Sequence, residues 1–253
     1  GTWRRRLGEI EGRVCRIEYP AGEAQGTGFL VAPDVVLTNY HVVEPFIEDG
    51  VAGDASAMVV RFDYKVAEDG VAVQAGTPYE LAGDWLADFS PYSEQDLSEE
   101  PSADPEPDQL DYALLRVNGD PGGGAVGGAT QDPGPVPRGW IAVPAIAYDF
   151  AAQPALYIVQ HPDGQPMQVA VDTEAVIGLN ANGTRVRYTT TTEPGSSGSP
   201  CFGPDWQWIA VHHAGDPKYW AGFKPAFNEG IPVPAIRRLL TERGKAELLG
   251  GTA

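Results

Sequence analysis

The amino-acid sequence predicts an all-β fold in two lobes, with a short helix at each end. Glycine and proline are abundant, with 31 and 23 among 253 residues, and 42% of the residues are hydrophobic. Short apolar or alternating runs recur between these turn-forming residues, which is typical of many short strands rather than of a helical bundle. A chain of this length can bury a large core.

The predicted elements divide the chain into consecutive parts. A helix is expected within residues 1–12, and a first β lobe over 13–120 with strands near 15–19, 26–31, 35–38, 58–64 and 112–117. A connection over 121–138 leads to a second β lobe over 139–231, with strands near 140–143, 156–160, 167–171, 175–179, 185–190 and 208–212. Residues 232–249 predict a closing helix, because their apolar side chains recur at helical spacing. Residues 84–109 are rich in acids, serine and proline and predict an exposed acidic insertion.

Charge and hydropathy exclude several partners. Seventeen basic and 35 acidic side chains give a net charge of −18, which repels nucleic acids and anionic membrane surfaces. No apolar stretch suits a signal peptide or a membrane span, so we expect a cytoplasmic protein. Cys15 and Cys201 both lie in apolar runs, which favours two buried free thiols over a disulfide.

The segment PGSSGSPCF, residues 194–202, is a candidate nucleophile turn. Small residues allow the backbone to project the Ser197 hydroxyl while the amides of Gly195 and Ser197 converge on a developing oxyanion. Such a segment is also a common Ser/Gly turn in β proteins, so it is not decisive alone.

Two further residues supply the groups that such a nucleophile needs. His41 follows the apolar run VVLTNY, and a neutral imidazole is the side chain best suited to accept a serine proton near neutral pH. Asp111 heads the apolar strand YALLRV, where a carboxylate needs a partner to offset burial. A lone histidine is more often structural and a lone aspartate is often a turn residue. The order His, Asp, Ser across two lobes favours the catalytic interpretation.

With this order the chain resembles the trypsin-like serine peptidases. The resemblance runs from GTGFLVAPDVVLTNYHVV through LDYALLRV to TTTTEPGSSGSPCF. It implies two six-stranded antiparallel β-barrels meeting at a cleft, with His41 as general base, Asp111 orienting it and Ser197 forming an acyl-enzyme. It implies a protein or peptide substrate, and neither a cofactor nor a metal.

Within that family the chain is most similar to bacterial HtrA-like and glutamyl-endopeptidase-like domains of multidomain conflict or signalling proteins. The residues that carry this similarity are QHPDG, EPGSSG and HHAG. His161 in the first of them is expected to shape a turn. Ser196 stands where trypsin has an aspartate that pairs with a new amino terminus, so activation of the trypsin kind is not expected, and control by a fused domain or partner protein is.

The resemblance also places a specificity pocket. Its residues would be Thr191, Thr192, His212, His213, Ala214 and Gly215. No aspartate lies at the pocket floor, so cleavage after Lys or Arg is not expected, whereas Thr192 and His212 suit a carboxylate. Two other interpretations stay open. One is a catalytically idle fold acting as an adaptor or peptide-binding module, and the weaker one is an esterase, whose α/β-hydrolase fold would require the order Ser, Asp, His.

Overall fold

The computed structural model describes residues 1–67, 69–126, 136–218 and 225–250. The first lobe follows helix α1 (Thr2–Arg13) and a short helix α2 lies within it (Tyr40–Val43). Its strands are β1 (Val14–Glu18), β2 (Ala24–Ala32), β3 (Val35–Thr38), β4 (Ile47–Glu48), β5 (Val51–Ala52), β6 (Val59–Phe62), β7 (Thr77–Ser90) and β8 (Tyr112–Val117). Strands β4 and β5 form a separate hairpin, and the other six close an antiparallel barrel in the order β1-β2-β3-β8-β7-β6.

Apolar side chains from facing strands fill the barrel, including Ile17, Leu30, Val36 and Leu115, all fully buried. Packing is tight enough that one position requires glycine. A Cβ atom on Gly28 would lie 2.8 Å from a methyl of Val36 and 3.0 Å from one of Ile17. The glycine therefore allows strands β1, β2 and β3 to approach one another closely.

The second lobe is a seven-stranded antiparallel sheet that curls into a half-barrel. Its strands are β9 (Leu156–Gln160), β10 (Gln168–Asp172), β11 (Val176–Leu179), β12 (Val186–Tyr188), β13 (Pro200–Phe202), β14 (Trp208–Gly215) and β15 (Asn228–Pro232), in the order β10-β9-β13-β14-β15-β12-β11. The all-β prediction with two barrel-like lobes is confirmed, but the second lobe has seven strands in an open sheet rather than six in a closed one.

Three differences from the predicted strands explain the strand count, and the first is β13 (Pro200–Phe202), which directly follows the candidate nucleophile turn. Strand β15 has the sequence NEGIP, which is poor in β-forming residues, and it is nevertheless held between β12 and β14. Residues 140–143 belong to neither sheet. There the backbone N–H of Ile141 donates to the carbonyl of Leu30 at 2.8 Å, and its side chain joins the core between the lobes.

That shared core joins the lobes and the terminal helices. It contains Phe29 of the first lobe, Val211 of the second, Ile10 of α1 and Ile236 of the closing helix α3 (Val233–Glu242). A 3₁₀ turn follows α3 at Ala246–Leu249. Burial of one apolar face of each terminal helix explains why the helices form at these positions.

The acidic segment 84–109 differs from the predicted exposed loop. Strand β7 continues to Ser90, with Trp85 and Ser90 buried. The loop that follows is closed at its base, because the Ser90 hydroxyl donates to the carbonyl of Asp108 and accepts from the N–H of Leu110. Its 3₁₀ turn (Glu94–Leu97) carries Asp96, whose two carboxylate oxygens accept from Arg185, the residue directly before β12, at 2.9 and 2.7 Å. The segment is thus docked on the second lobe by a buried ion pair that composition does not reveal.

Replacing Arg185 with methionine is expected to destabilise the protein by about 3–5 kcal/mol, because it leaves the buried carboxylate of Asp96 without its counter-charge. Urea unfolding measures the effect. The matched control is Arg5→Met, which removes an exposed ion pair with Glu9 and should change the unfolding free energy by less than about 1 kcal/mol. Equal losses of unfolding free energy in the two variants would contradict a stabilising role for the buried Arg185–Asp96 ion pair.

Three other expectations concern the cysteines, the connection between the lobes and membrane spans. Cys15 and Cys201 are both free and buried, as predicted. Residues 127–135 of the expected 121–138 connection lie outside the described residues. Within the described ranges, no helix has the length and apolar character needed to cross a membrane.

Candidate active site

His41 and Asp111 come together because they follow and precede neighbouring strands. Strands β3 and β8 pair antiparallel, with Thr38 opposite Ala113, so the end of one strand lies beside the start of the other. His41 Nδ1 lies 2.7 Å from Asp111 Oδ2, and the His41 backbone N–H donates to Oδ1 at 3.0 Å. The carboxylate therefore holds both the ring and the backbone of His41.

The environment of Asp111 keeps it ionised. Burial raises the pKa of this carboxyl group, but the charge of His41 and hydrogen bonds from His213 and His41 outweigh burial and lower the pKa to about 2. Its backbone is fixed as well, because its N–H donates to Pro91 and its carbonyl accepts from the Asn39 side chain at 2.8 Å. Asp111 has a positive φ of 44°, which is uncommon outside glycine and turns the chain sharply into β8.

The Ser197 turn is docked on the first lobe. The backbone N–H of Thr27 donates to the Ser197 carbonyl at 2.8 Å, and the Thr27 hydroxyl donates to the Gly195 carbonyl at 2.9 Å. Gly198 has a φ of +87°, and a Cβ atom there would collide with the carbonyl of Thr27 and the hydroxyl of Thr38. The glycine is required for the nucleophile turn to approach the end of β3.

The amides of this turn divide into two groups. The N–H groups of Ser196, Gly198 and Ser199 donate to the carbonyls of Glu193, His212 and Ser196, respectively. The N–H groups of Gly195 and Ser197 have no acceptor among the described residues. These two amides are the pair that the sequence predicts for an oxyanion hole, and they are the two that remain available to a ligand.

Gly26 lies between the segment that carries Ser197 and the segment that carries His41. A Cβ atom on Gly26 would lie 2.8 Å from the side chain of Val42, next to His41, and 3.1 Å from the carbonyl of Ser197. In the described part of the chain no hydrogen bond joins the Ser197 hydroxyl to His41. Such bonds are often long without substrate and shorten when it binds.

The turn predicted at His161 is hydrogen-bonded to the segment that leads into the nucleophile turn. The N–H of Asp163 donates to the carbonyl of Pro194, and His161 Nδ1 lies 3.0 Å from the carbonyl of Gln165. Burial lowers the pKa of His161 to about 4, so its ring is neutral at neutral pH. His161 is thus a buried structural residue.

All six residues predicted for the specificity pocket line one cavity of about 570 Å³, and Ser197 stands at the same cavity. His212 is buried, with Nδ1 2.7 Å from the Tyr188 hydroxyl. Burial and the nearby charges of His213 and His41 lower the pKa of His212 to about 3, so its ring is neutral. The pKa of Tyr188 is raised well above 10 by burial, so the hydroxyl keeps its proton. The Tyr188 hydroxyl is also within 3.4 Å of the Glu229 carbonyl, and in the tautomer in which it donates to His212 Nδ1 the neutral ring carries its N–H on Nε2.

Besides lining the specificity cavity, His213 contacts two carboxylates that the sequence does not associate with it. Strand β14 carries a bulge, because His212 pairs with Gly230 and Ala214 with Glu229, and His213 has no partner between them. Its buried ring lies 3.2 Å from Asp111 Oδ2 and 3.3 Å from Glu229 Oε1. The adjacent histidines were the only sequence signal here, and nothing in the sequence indicates Glu229.

One group of side chains within the described ranges, Asp96, His213 and Glu229, has ligand atoms close enough for a metal ion. Arg185 already forms ion pairs with both of its carboxylates, at 2.7 Å to Asp96 and 3.6 Å to Glu229. A guanidinium thus occupies the position that a cation would need, and these residues do not fit a metal centre.

Two β lobes that meet beside His41, Asp111 and Ser197 define the trypsin-like two-barrel class of fold. The model of the family described as the trypsin-like peptidase domain matches residues 26–211, and the chain belongs to this family.

Solved protease structures are similar in fold, and one curated protein is related in sequence. The active form of the Rv3671c protease from M. tuberculosis is similar with a TM-score of 0.54 and 18% identity, over 94% of this chain and 84% of that one. An HtrA-type protease, AlgW, solved with a tripeptide, has a TM-score of 0.56 and 14% identity, over 97% of this chain and 63% of that one. The uncharacterized protein y4fB of Sinorhizobium fredii is 29% identical over 217 residues, which are 81% of this chain. The chain spans about 28% of that relative's length.

Proposed function

We propose that this chain is a serine endopeptidase domain. The observation that carries the proposal is the pairing of His41 with buried Asp111 beside a turn that presents the Ser197 hydroxyl and two available amides. Fold alone does not establish activity, and this set of groups is what acyl transfer requires.

In the proposed mechanism Ser197 Oγ attacks the peptide carbonyl while His41 accepts its proton. The amides of Gly195 and Ser197 stabilise the oxyanion, and Asp111 holds the ring tautomer and stabilises the charged ring. His41 then donates the proton to the leaving amine, which yields an acyl-enzyme. Water, deprotonated by His41, releases the acyl group and restores the Ser197 hydroxyl.

The proposal is tested by incubating the purified chain with a peptide library and, separately, with a fluorophosphonate probe. Cleaved peptides and a covalent adduct on Ser197 are expected. An intact library together with no adduct would favour the adaptor, which binds peptides in the same cleft without reacting. The esterase alternative predicts hydrolysis of simple esters with no cleavage of peptides.

We further propose that the pocket prefers an acidic side chain before the cut. His212 with its proton on Nε2 and the hydroxyl of Thr192 can both donate to a carboxylate at this cavity. Glu193 and Asp216 line the same cavity and oppose a negative charge, so the amide of glutamine is the necessary comparison.

Peptides that differ only in Glu, Gln or Lys before the cut are expected to rank in that order by kcat/KM. Thr192→Val keeps the side-chain shape and removes one donor, so it should lower kcat/KM for the Glu peptide by about tenfold. Thr189→Val is the matched control, because the Thr189 hydroxyl at the same cavity is engaged by Asp172 at 3.2 Å. A preference for Gln over Glu would show that Glu193 and Asp216 dominate, and no preference would remove the proposal.

Control by a fused domain or a partner protein is also proposed. It is supported by the relative of which this chain spans only about 28%. Comparing peptide cleavage by this domain alone and by a longer protein that contains it tests the idea, and equal, unregulated activity would count against it.

A further inference from the structure

His213 stands between two carboxylates in the interior. Its side chain is 1% exposed, with Nδ1 near Asp111 Oδ2 and Nε2 near Glu229 Oε1. A neutral imidazole has one N–H and one lone pair, so it would turn that lone pair toward one carboxylate. Only the imidazolium donates to both carboxylates.

The charges around His213 are consistent with a positively charged ring. The charged and titratable groups near His213 come from several elements: Asp111 before β8, Glu229 on β15, Arg185 before β12, Arg187 on β12, Asp96 in the 3₁₀ turn, His41 on α2 and the neighbouring His212. Three carboxylates face two guanidinium groups, so one further positive charge makes the cluster neutral, and His212 stays uncharged. Burial lowers the pKa of His213, but hydrogen bonds to Asp111 and Glu229 outweigh it and raise the pKa to about 9.

We propose that His213 is a positioning residue, which donates to Asp111 and Glu229 from its two ring nitrogens and so fixes the carboxylate that orients His41. This inference rests on the proposed peptidase function. Asp111 Oδ2 accepts from His41 and His213 at 2.7 and 3.2 Å, while Oδ1 accepts from the His41 backbone. With these three bonds the carboxylate cannot rotate without losing a buried partner.

The charge of His213 has a second consequence for catalysis. A fixed positive charge beside the Asp111–His41 pair opposes a second positive charge on His41. The raised pKa of His213 means that its charge is present at neutral pH and is lost as the pH rises through about 9.

The first test measures the pH dependence of kcat/KM. His213→Gln retains a side-chain donor and removes the charge, so the acidic limb should move to higher pH by about one unit, with kcat about tenfold lower. Glu229→Gln keeps the histidine and weakens its charged state, and the limb should move in the same direction by a smaller amount. An unchanged limb in both folded variants, with activity lowered or not, would make His213 merely structural and overturn the proposal.

The second test does not require activity. In the Ser197→Ala protein with ¹⁵N-labelled histidine, His213 should show two ring N–H signals at pH 7.5, and His41 should show a downfield Nδ1–H signal from its bond to Asp111. His213→Gln should shift the His41 signal upfield and speed its exchange. One ring N–H on His213, or an unchanged His41 signal, overturns the inference. If the absence of cleavage and of a fluorophosphonate adduct rules out the peptidase function, these NMR signals still show whether His213 positions Asp111 and His41.

Discussion

Ser197→Ala is expected to lower kcat for peptide cleavage by about 10⁴-fold or more, because the acyl-enzyme can no longer form. Substrate binding should persist, since the pocket residues and the two available amides are unchanged. Hydrolysis of a peptide found by the library screen gives kcat and KM. Mass spectrometry of the fluorophosphonate adduct shows whether residue 197 still reacts.

The matched control for this experiment lies two residues away. Ser199 is buried, and its hydroxyl has no hydrogen-bond partner among the described residues. Ser199→Ala therefore removes the same atom without unpairing another group, and activity and probe labelling should stay near those of the wild type. If Ser199→Ala, rather than Ser197→Ala, abolished labelling, the nucleophile would be misassigned.

Asp111→Asn is expected to lower kcat by about 10⁴-fold while the fold is retained. The asparagine side chain fits the same space, but its amide can present an N–H to His41 Nδ1 and so favour the wrong ring tautomer. The loss should appear in kcat far more than in KM, because Asp111 is buried and does not line the specificity cavity. A loss confined to KM would contradict the orienting role.

The same variant has a stability signature in acid. The pKa of Asp111 is about 2 in the folded protein against an ordinary value of 3.8, so its carboxylate stabilises the fold above pH 3.8. That contribution is lost as the pH falls from 3.8 toward 2. The urea midpoint of the wild type should therefore fall more between pH 5 and pH 2.5 than that of Asp111→Asn. Glu229, whose pKa is also lowered to about 2, retains part of the acid sensitivity in both proteins.

Much of this organisation could be predicted from local patterns. His41 and Asp111 each adjoin an apolar strand, and Ser197 lies in a glycine-flanked turn, so the sequence indicates both their chemistry and their lobes. The catalytic role of these residues stays a prediction until the activity tests are made. Strand β15 and the end of β7 could not be predicted, because Asn228–Pro232 has few β-forming residues and residues 84–90 carry two aspartates and begin the acid-rich segment.

Sequence alone determined that this is an all-β protein of the trypsin-like kind, because strand periodicity and short catalytic motifs are local properties of the chain. Only the tertiary structure decided where Asp96, Arg185 and Glu229 stand and that His213 contacts the buried carboxylate of Asp111. These residues are up to 133 positions apart, from Asp96 to Glu229. Ion pairs between such residues depend on strand pairing, on the bulge at His213 and on burial, none of which leaves a periodic pattern in the sequence.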